Sequence, residues 1–406
     1  AAGIEHIQTL PTGVNPVVYG DWLHQSGAPT ILIYGHYDVQ PAKIDDGWKT
    51  PPFDPHITNG RIYGRGSSDD KGNMFAPIIA VEALLRTTGS LPVNVKFLFE
   101  GQEEIGSPKL DAFVEANRNL LLCDFSLSAD GNQWSEKQPS LQLSLRGICA
   151  LEICLEGPSI DLHSGTYGGT IQNPLHALAE LISSLHDAEG RVAVEGFYDE
   201  VVEPPIQQRK EFSRIPFDRT SYLKETGSPK LYGEAGWSTF ERQWIRPTLE
   251  INGIWGGFQE VGSKTVIPAT GHAKMTCRLV AEQRPGKIIK LVVAHLENNK
   301  PTGVRLKCEP SNVFGDPYKV PADHPGNLAA ANVLRHLYGV QPLQIGVGGS
   351  IPICGLLLEK MGVHTIGFSF ALDDEGAHGP NEFFRLSNFR RAQEGYCLIL
   401  QELASR

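Results

Sequence analysis

Acidic and histidine residues recur in this chain just beyond short apolar runs, at His36, Asp69, Glu103 with Glu104, Asp130 and His378. In the parallel sheet of an open α/β domain, functional groups gather outside the carboxyl ends of the strands, so residues delivered there converge on one crevice. Ile31-Leu32-Ile33-Tyr34 is a continuous apolar run, as expected for a strand covered on both faces, and it delivers Gly35-His36-Tyr37-Asp38. Val93, Val95, Phe97 and Phe99 alternate ahead of Glu103-Glu104, residues 125–129 precede Asp130, and residues 365–371 lead into the loop of His378. Asp69 follows Gly64-Arg65-Gly66-Ser67-Ser68 and precedes a helical stretch over 73–86, which puts it on a sharp loop entering a helix N-terminus. The pattern predicts an α/β fold with a mostly parallel central sheet and helices on both faces.

Imidazole and carboxylate together are the donors of borderline divalent cations. Two such cations held close together need a bridging carboxylate to offset their repulsion, and terminal ligands on either side. The residues above have that composition, so two divalent metal ions are expected. Zinc suits the donors, and manganese and cobalt fit them too. Taken singly, each residue has a plainer account: Asp130, followed by Gly131-Asn132, is a turn, and Glu103-Glu104 is an acidic turn. Their joint occurrence in one topology favours the metals.

With 406 residues the chain exceeds what one core usually fills, so two domains are expected. Its 46 acidic and 36 basic side chains leave a formal charge of -10, which disfavours nucleic acid or an anionic membrane as partner. No apolar stretch reaches membrane-spanning length. The seven cysteines are scattered, without close metal-type pairs, and read as small buried hydrophobes in a reducing compartment. The chain opens Ala1-Ala2-Gly3 with no signal-peptide pattern, and a cytoplasmic location is expected.

The character of the chain changes near Leu145-Arg146-Gly147. A strand is predicted over 148–155, then a stretch over 157–169 rich in Gly, Ser and Thr, then an amphipathic helix over 174–186. Residues 195–247 carry Pro, charged and aromatic residues with little period, as in a long irregular excursion. Strands are expected over 265–280 and 303–309, with a helix near 288–297, and the pattern turns helical again after Asp323-His324-Pro325. The simplest organisation is a smaller α/β domain of roughly 180 residues inserted into a larger one. The boundaries are 1–146 and 325–406 for the outer domain and 147–324 for the insertion.

Three segments carry a named resemblance: Gly35-His36-Tyr37-Asp38-Val39-Gln40-Pro41, Gly64-Arg65-Gly66-Ser67-Ser68-Asp69-Asp70-Lys71-Gly72 and Glu100-Gly101-Gln102-Glu103-Glu104-Ile105-Gly106-Ser107. They resemble the signature of the M20 metallopeptidases, and within that family the carnosinase-like dipeptidases. Asp161-Leu162-His163-Ser164-Gly165, Gly348-Gly349-Ser350-Ile351-Pro352 and Ala377-His378-Gly379-Pro380-Asn381-Glu382 extend the likeness in the family's order over nearly the whole chain. The family usually has a longer stretch before its first motif.

The resemblance implies that Asp69 bridges two metals, with His36 and Asp130 completing one and Glu104 and His378 the other. Asp70 is the nearest rival as bridge, and the spacing of the family motif favours Asp69. Asp38 would orient the His36 ring, and Glu103 would be the general base that moves a proton from water to the leaving amine. The family shows a cis peptide after its bridging aspartate, so one is expected between Asp69 and Asp70. His163 would reach the active site of the other subunit in a homodimer and stabilise an oxyanion, although by itself it reads as a turn histidine. Arg278 resembles the arginine that grips the substrate carboxylate, and His324, Gly349 and Ser350 resemble further substrate contacts. On residues alone, Gly348-Gly349-Ser350 also fits a phosphate cradle.

The activity implied is hydrolysis of dipeptides or short peptides from one end. In the family resembled, aspartate at the Asp130 position tends to mark enzymes whose substrates carry a free α-amine, and glutamate there carboxypeptidases and N-acyl hydrolases. An N-acyl-amino-acid deacylase is the alternative. A non-catalytic relative is a third, but it should have lost a ligand or the base, and none is missing. The inserted domain would act as lid and dimerisation surface.

Overall fold

A computed structural model describes residues 3–405, Asn312 by its backbone alone. The chain forms two compact units, one of residues 1–143, 320–345 and 351–406, the other of residues 144–319 and 346–350.

The first unit is built on a six-stranded sheet in the order Glu5–Leu10, Val17–Trp22, Asn94–Glu100, Thr30–His36, Phe125–Ser128, Thr365–Gly367. The pairings from Asn94–Glu100 onward are parallel, and the two at the other edge are antiparallel. Ile31, Leu32, Ile33 and Tyr34 are wholly buried in the middle of this sheet, which is why their run is apolar without alternation. Helix Lys71–Thr88 packs on Leu386–Leu403, and Pro325–Tyr338 packs on the same long C-terminal helix.

The second unit has a four-stranded antiparallel sheet in the order Thr248–Gly256, Thr270–Leu279, Gly147–Glu156, Arg305–Gly315. Burial along Gly147–Glu156 alternates strictly, the mark of a sheet covered on one face. Cys149, Leu151, Ile153 and Leu155 meet Leu178 and Leu181 of helix Pro174–Ser184 and Ile288, Val292 and Leu296 of helix Pro285–Asn299 in one core.

The excursion over 195–247 is less irregular than its sequence implies. It contains the helices Ile206–Phe212, Arg219–Thr226 and Thr239–Trp244, the second capped by Asp218 and the third by Ser238. At six to eight residues they are too short to print a period. Strand Thr248–Gly256 is also unannounced, because a register shift between Ile251 and Gly253 breaks its alternation. Residues 346–350 belong with the second unit rather than the end of the first, since the Arg146 amide donates to the carbonyls of Val347 at 3.2 Å and Gly349 at 3.0 Å. His324 falls in the first unit.

Candidate metal centre

Within the first unit, donor atoms of His36, Asp69 and Asp130 lie within 4.8 Å of one another, and so do those of Asp69, Glu104 and His378. Asp69 belongs to both groups. Its Oδ1 is 2.9 Å from His36 Nε2 and its Oδ2 is 3.0 Å from His378 Nε2, so one carboxylate turns an oxygen toward each half of the cluster. Asp70, its rival, faces away: it is buried, and its Oδ2 accepts from the His36 amide at 3.2 Å. The peptide bond between Asp69 and Asp70 is cis.

The supporting contacts explain how the loops hold this shape. Asp38 Oδ1 is 3.4 Å from His36 Nδ1, which leaves Nε2 pointing into the cluster. The same carboxylate accepts from the amides of Glu103 at 3.3 Å and Glu104 at 3.0 Å, so one side chain sets both the ring and the acidic turn. Glu104 is steadied by Gln40, whose amide donates to Oε1 at 3.1 Å and whose Nε2 donates to Oε2 at 2.7 Å. Glu104 Oε2 also lies 3.0 Å from His378 Nε2. His378 has φ 63°, in the left-handed region, within a turn closed by the Gly379 amide on the Gly376 carbonyl at 2.9 Å.

Glu382 received no role from the sequence, yet it anchors the Asp69 loop. Wholly buried, it accepts from Arg65 Nη1 and the Gly66 and Ser68 amides at 2.8 Å each, and from the Asp69 amide at 3.0 Å. Arg65 also donates to the His378 carbonyl at 3.0 Å, so one ion pair ties the two loops together. Gly66 has φ 81°, and a Cβ there would collide with Val39, so only glycine passes this point of the loop. The one signal in the sequence was the place of Glu382 four residues after His378 in the last motif.

The acids outnumber the groups that could neutralise them. Burial, with Asp130, Asp69 and Glu100 adding repulsion, pushes the Glu103 carboxyl up to about 9. Burial, with Asp69 and Glu104, raises Asp130 to about 6. Asp69 runs the other way: burial opposes its charge, but His36 and His378 hold it below the usual carboxylate range. His36 is raised despite burial, by its contacts with Asp38 and Asp69. Half-buried carboxylates that repel one another, with imidazoles on either side and one carboxylate shared, are the donor set two divalent cations require.

The remaining predicted residues lie elsewhere. His163, Arg278, Gly349 and Ser350 belong to the second unit. His163 precedes the short helix Ser164–Tyr167, its Nδ1 accepting from the Gly165 amide at 3.1 Å. His324 is in the first unit but is not brought to the cluster. Its ring packs on Phe125 at 5.7 Å and His364 at 5.0 Å between centroids, where strands Phe125–Ser128 and Thr365–Gly367 begin. Asp130 lies beyond the other end of the first of these strands, about 16 Å away at the rise of an extended chain. The substrate contact expected of His324 is therefore withdrawn.

Comparison with known proteins agrees with this geometry. The Cys-Gly metallodipeptidase dug1 of Schizosaccharomyces pombe is 32% identical over 396 residues, 96% of this chain and 83% of that protein. The Beta-Ala-His dipeptidase of Rattus norvegicus is 31% identical over 410 residues, 98% of this chain and 81% of its own length. Among solved structures, the M20 family metallo-carboxypeptidase Sso-CP2 from Sulfolobus solfataricus superposes with a TM-score of 0.87 at 31% identity, covering 98% of this chain and 90% of that one. The model of peptidase family M20/M25/M40 matches residues 32–402, and the chain belongs to that family.

Proposed function

We propose that the chain is a two-metal dipeptidase, and that the observation carrying this reading is the sharing of Asp69 by two donor groups in a member of peptidase family M20/M25/M40. His36 and Asp130 would hold one cation, Glu104 and His378 the other, and Asp69 both. When bound, such a pair acidifies a water and polarises the scissile carbonyl. Zinc is the cation we favour, with manganese and cobalt compatible with the same donors.

Glu103 is the base. It is half-buried beside Asp69 and Asp130, and positive charge there would lower its high proton affinity toward the neutral range where a base works best. It takes a proton from water and returns it to the leaving amine. Asp38 keeps His36 in the tautomer with Nε2 free. Arg278 grips the substrate carboxylate, Gly349 and Ser350 line its surroundings, and His163 of the partner subunit stabilises the oxyanion in a homodimer formed through the inserted unit. Seven cysteines without a disulfide support a cytoplasmic setting, and no helix among the described residues is long and apolar enough to cross a membrane.

The likeness to a metallo-carboxypeptidase favours a second reading, release of C-terminal residues from longer peptides. The deciding experiment couples metal analysis of the purified protein to a panel of dipeptides, hexapeptides, and N-acetyl and N-succinyl amino acids. Cleavage concentrated in the dipeptides is expected. Turnover confined to acylated compounds would make the protein a deacylase, and efficient trimming of hexapeptides a carboxypeptidase.

A further inference from the structure

Two arginines stand together at one end of the four-stranded sheet. Gly147 pairs with Leu279 and Ile148 with Arg278, so Arg146, one residue before Gly147, neighbours Arg278 across the ladder. Burial and the Arg278 charge push the Arg146 guanidinium down to about 10, and burial lowers Arg278 as well. Glu250 is the acid that opposes this effect at Arg146. Among the described residues neither arginine lies within ion-pair distance of a carboxylate. In a chain of formal charge -10, two half-buried cations that no carboxylate touches, Glu250 acting only at a distance, are out of keeping with the rest of the molecule.

The Gly348-Gly349-Ser350 turn lies against Arg146. The Arg146 amide holds the carbonyls of Val347 and Gly349, while its Nε reaches the Gly348 carbonyl at 3.4 Å and its Nη1 the Arg242 carbonyl at 3.5 Å. Those two side-chain contacts are long, and most of the guanidinium's five donors remain unused. A Cβ on Gly348 would stand 3.2 Å from Arg146 Nη2, so the glycine keeps the space beside the guanidinium open.

We infer that Arg146 and Arg278 form a two-guanidinium anion subsite beside the Gly348–Ser350 turn, and that it selects dipeptides whose C-terminal residue carries a second carboxylate. The inference rests on the reading of Arg278 as the residue that grips the substrate carboxylate. One planar guanidinium pairs with one carboxylate through two parallel hydrogen bonds. A substrate with a single carboxylate would satisfy Arg278 and leave Arg146 repelled and unpaired. A C-terminal glutamate or aspartate brings a carboxylate for each.

The test compares kcat/KM of the purified, metal-loaded protein for Ala-Glu with Ala-Gln and for Ala-Asp with Ala-Asn. A preference for the acidic member of about tenfold or more is expected, the size of one charge-assisted hydrogen bond. In Arg146→Met the preference should fall toward parity through KM rather than kcat, and Arg146→Lys should keep part of it. Parity in the unaltered protein, or an undiminished preference in Arg146→Met, would overturn the subsite. Should Arg146→Met not fold, the unaltered protein and Arg146→Lys decide. Calorimetric binding of free glutamate and glutamine separates this from the dipeptidase reading. If no dipeptide is cleaved, that reading fails, and the subsite then stands or falls on whether glutamate binds more tightly than glutamine and loses that advantage in Arg146→Lys.

Discussion

In the unit built on the six-stranded sheet the unbalanced charge is negative: Glu103 is pushed up to about 9 by burial and by Asp130 and Asp69, and Asp130 to about 6 by burial and by Asp69 and Glu104. In the unit built on the four-stranded sheet the unbalanced charge is positive, with Arg146 lowered by burial and by Arg278. Folding alone gives no reason to keep either imbalance, since replacing buried ionic groups by well-packed apolar ones is often neutral or stabilising. Each is understandable as half of a complex, cations completing the first unit and a carboxylate the second. On the function proposed above, the difference in sign would separate the groups that make the reaction from those that choose the substrate.

The sharpest way to break this division is Glu103→Ala. Turnover should fall about 10²–10⁴-fold with the metal content unchanged, because only the proton carrier is lost. Loss of metal in that variant would make Glu103 a ligand. Next in size is Glu382→Gln, which leaves Arg65 without its anion and loosens the Asp69 loop. Metal affinity read by calorimetry should drop about 10–100-fold, the range seen when groups that orient ligands are removed. Unaltered affinity would mean that the loop keeps its shape without the buried ion pair.

On the other side of the comparison, Arg278→Met should raise KM for dipeptides about tenfold or more while leaving the metal content as it was. A fall in kcat with KM constant would move Arg278 out of ground-state binding. The smallest effect concerns Glu100, which accepts from Tyr34 Oη at 2.7 Å and from Ser107 Oγ and is raised, mainly by burial, from 4.5 to about 7. Its native form holds the proton more tightly than the unfolded chain does. Its contribution to stability is therefore full below pH 4.5 and is lost as the pH rises through about 7. Denaturant unfolding of Glu100→Gln should show a stability that declines less over that interval than the unaltered protein's. Parallel pH profiles would mean that Glu100 titrates normally.

His36, Glu104 and Asp130 were legible because they follow strands buried on both faces, and such strands announce themselves as apolar runs. The sharing of Asp69 was legible only through the family motif, since nothing in the spacing separates it from Asp70. Edge strand Glu5–Leu10 escaped notice because nearly every side chain in it is exposed, leaving no apolar face to betray it. Glu382 escaped for a different reason. In sequence a buried carboxylate looks like a surface one, and its partner Arg65 is 317 positions away. His324 shows the converse: its motif matched, but the ring packs where its strands begin, while the cluster lies where they end.

The separation between Arg65 and Glu382 also orders events in time. Asp69 and the residue that anchors its amide are 313 positions apart, and most of the chain, including the whole inserted unit, is made between them. Contacts of such range pay their loop-closure entropy late in folding. A chain emerging from synthesis would present His36, Asp69, Glu104 and Asp130 long before His378 and Glu382 exist, so four donors wait for the fifth. The donor set that shares Asp69 is withheld until the segment of His378 and Glu382 folds back onto it.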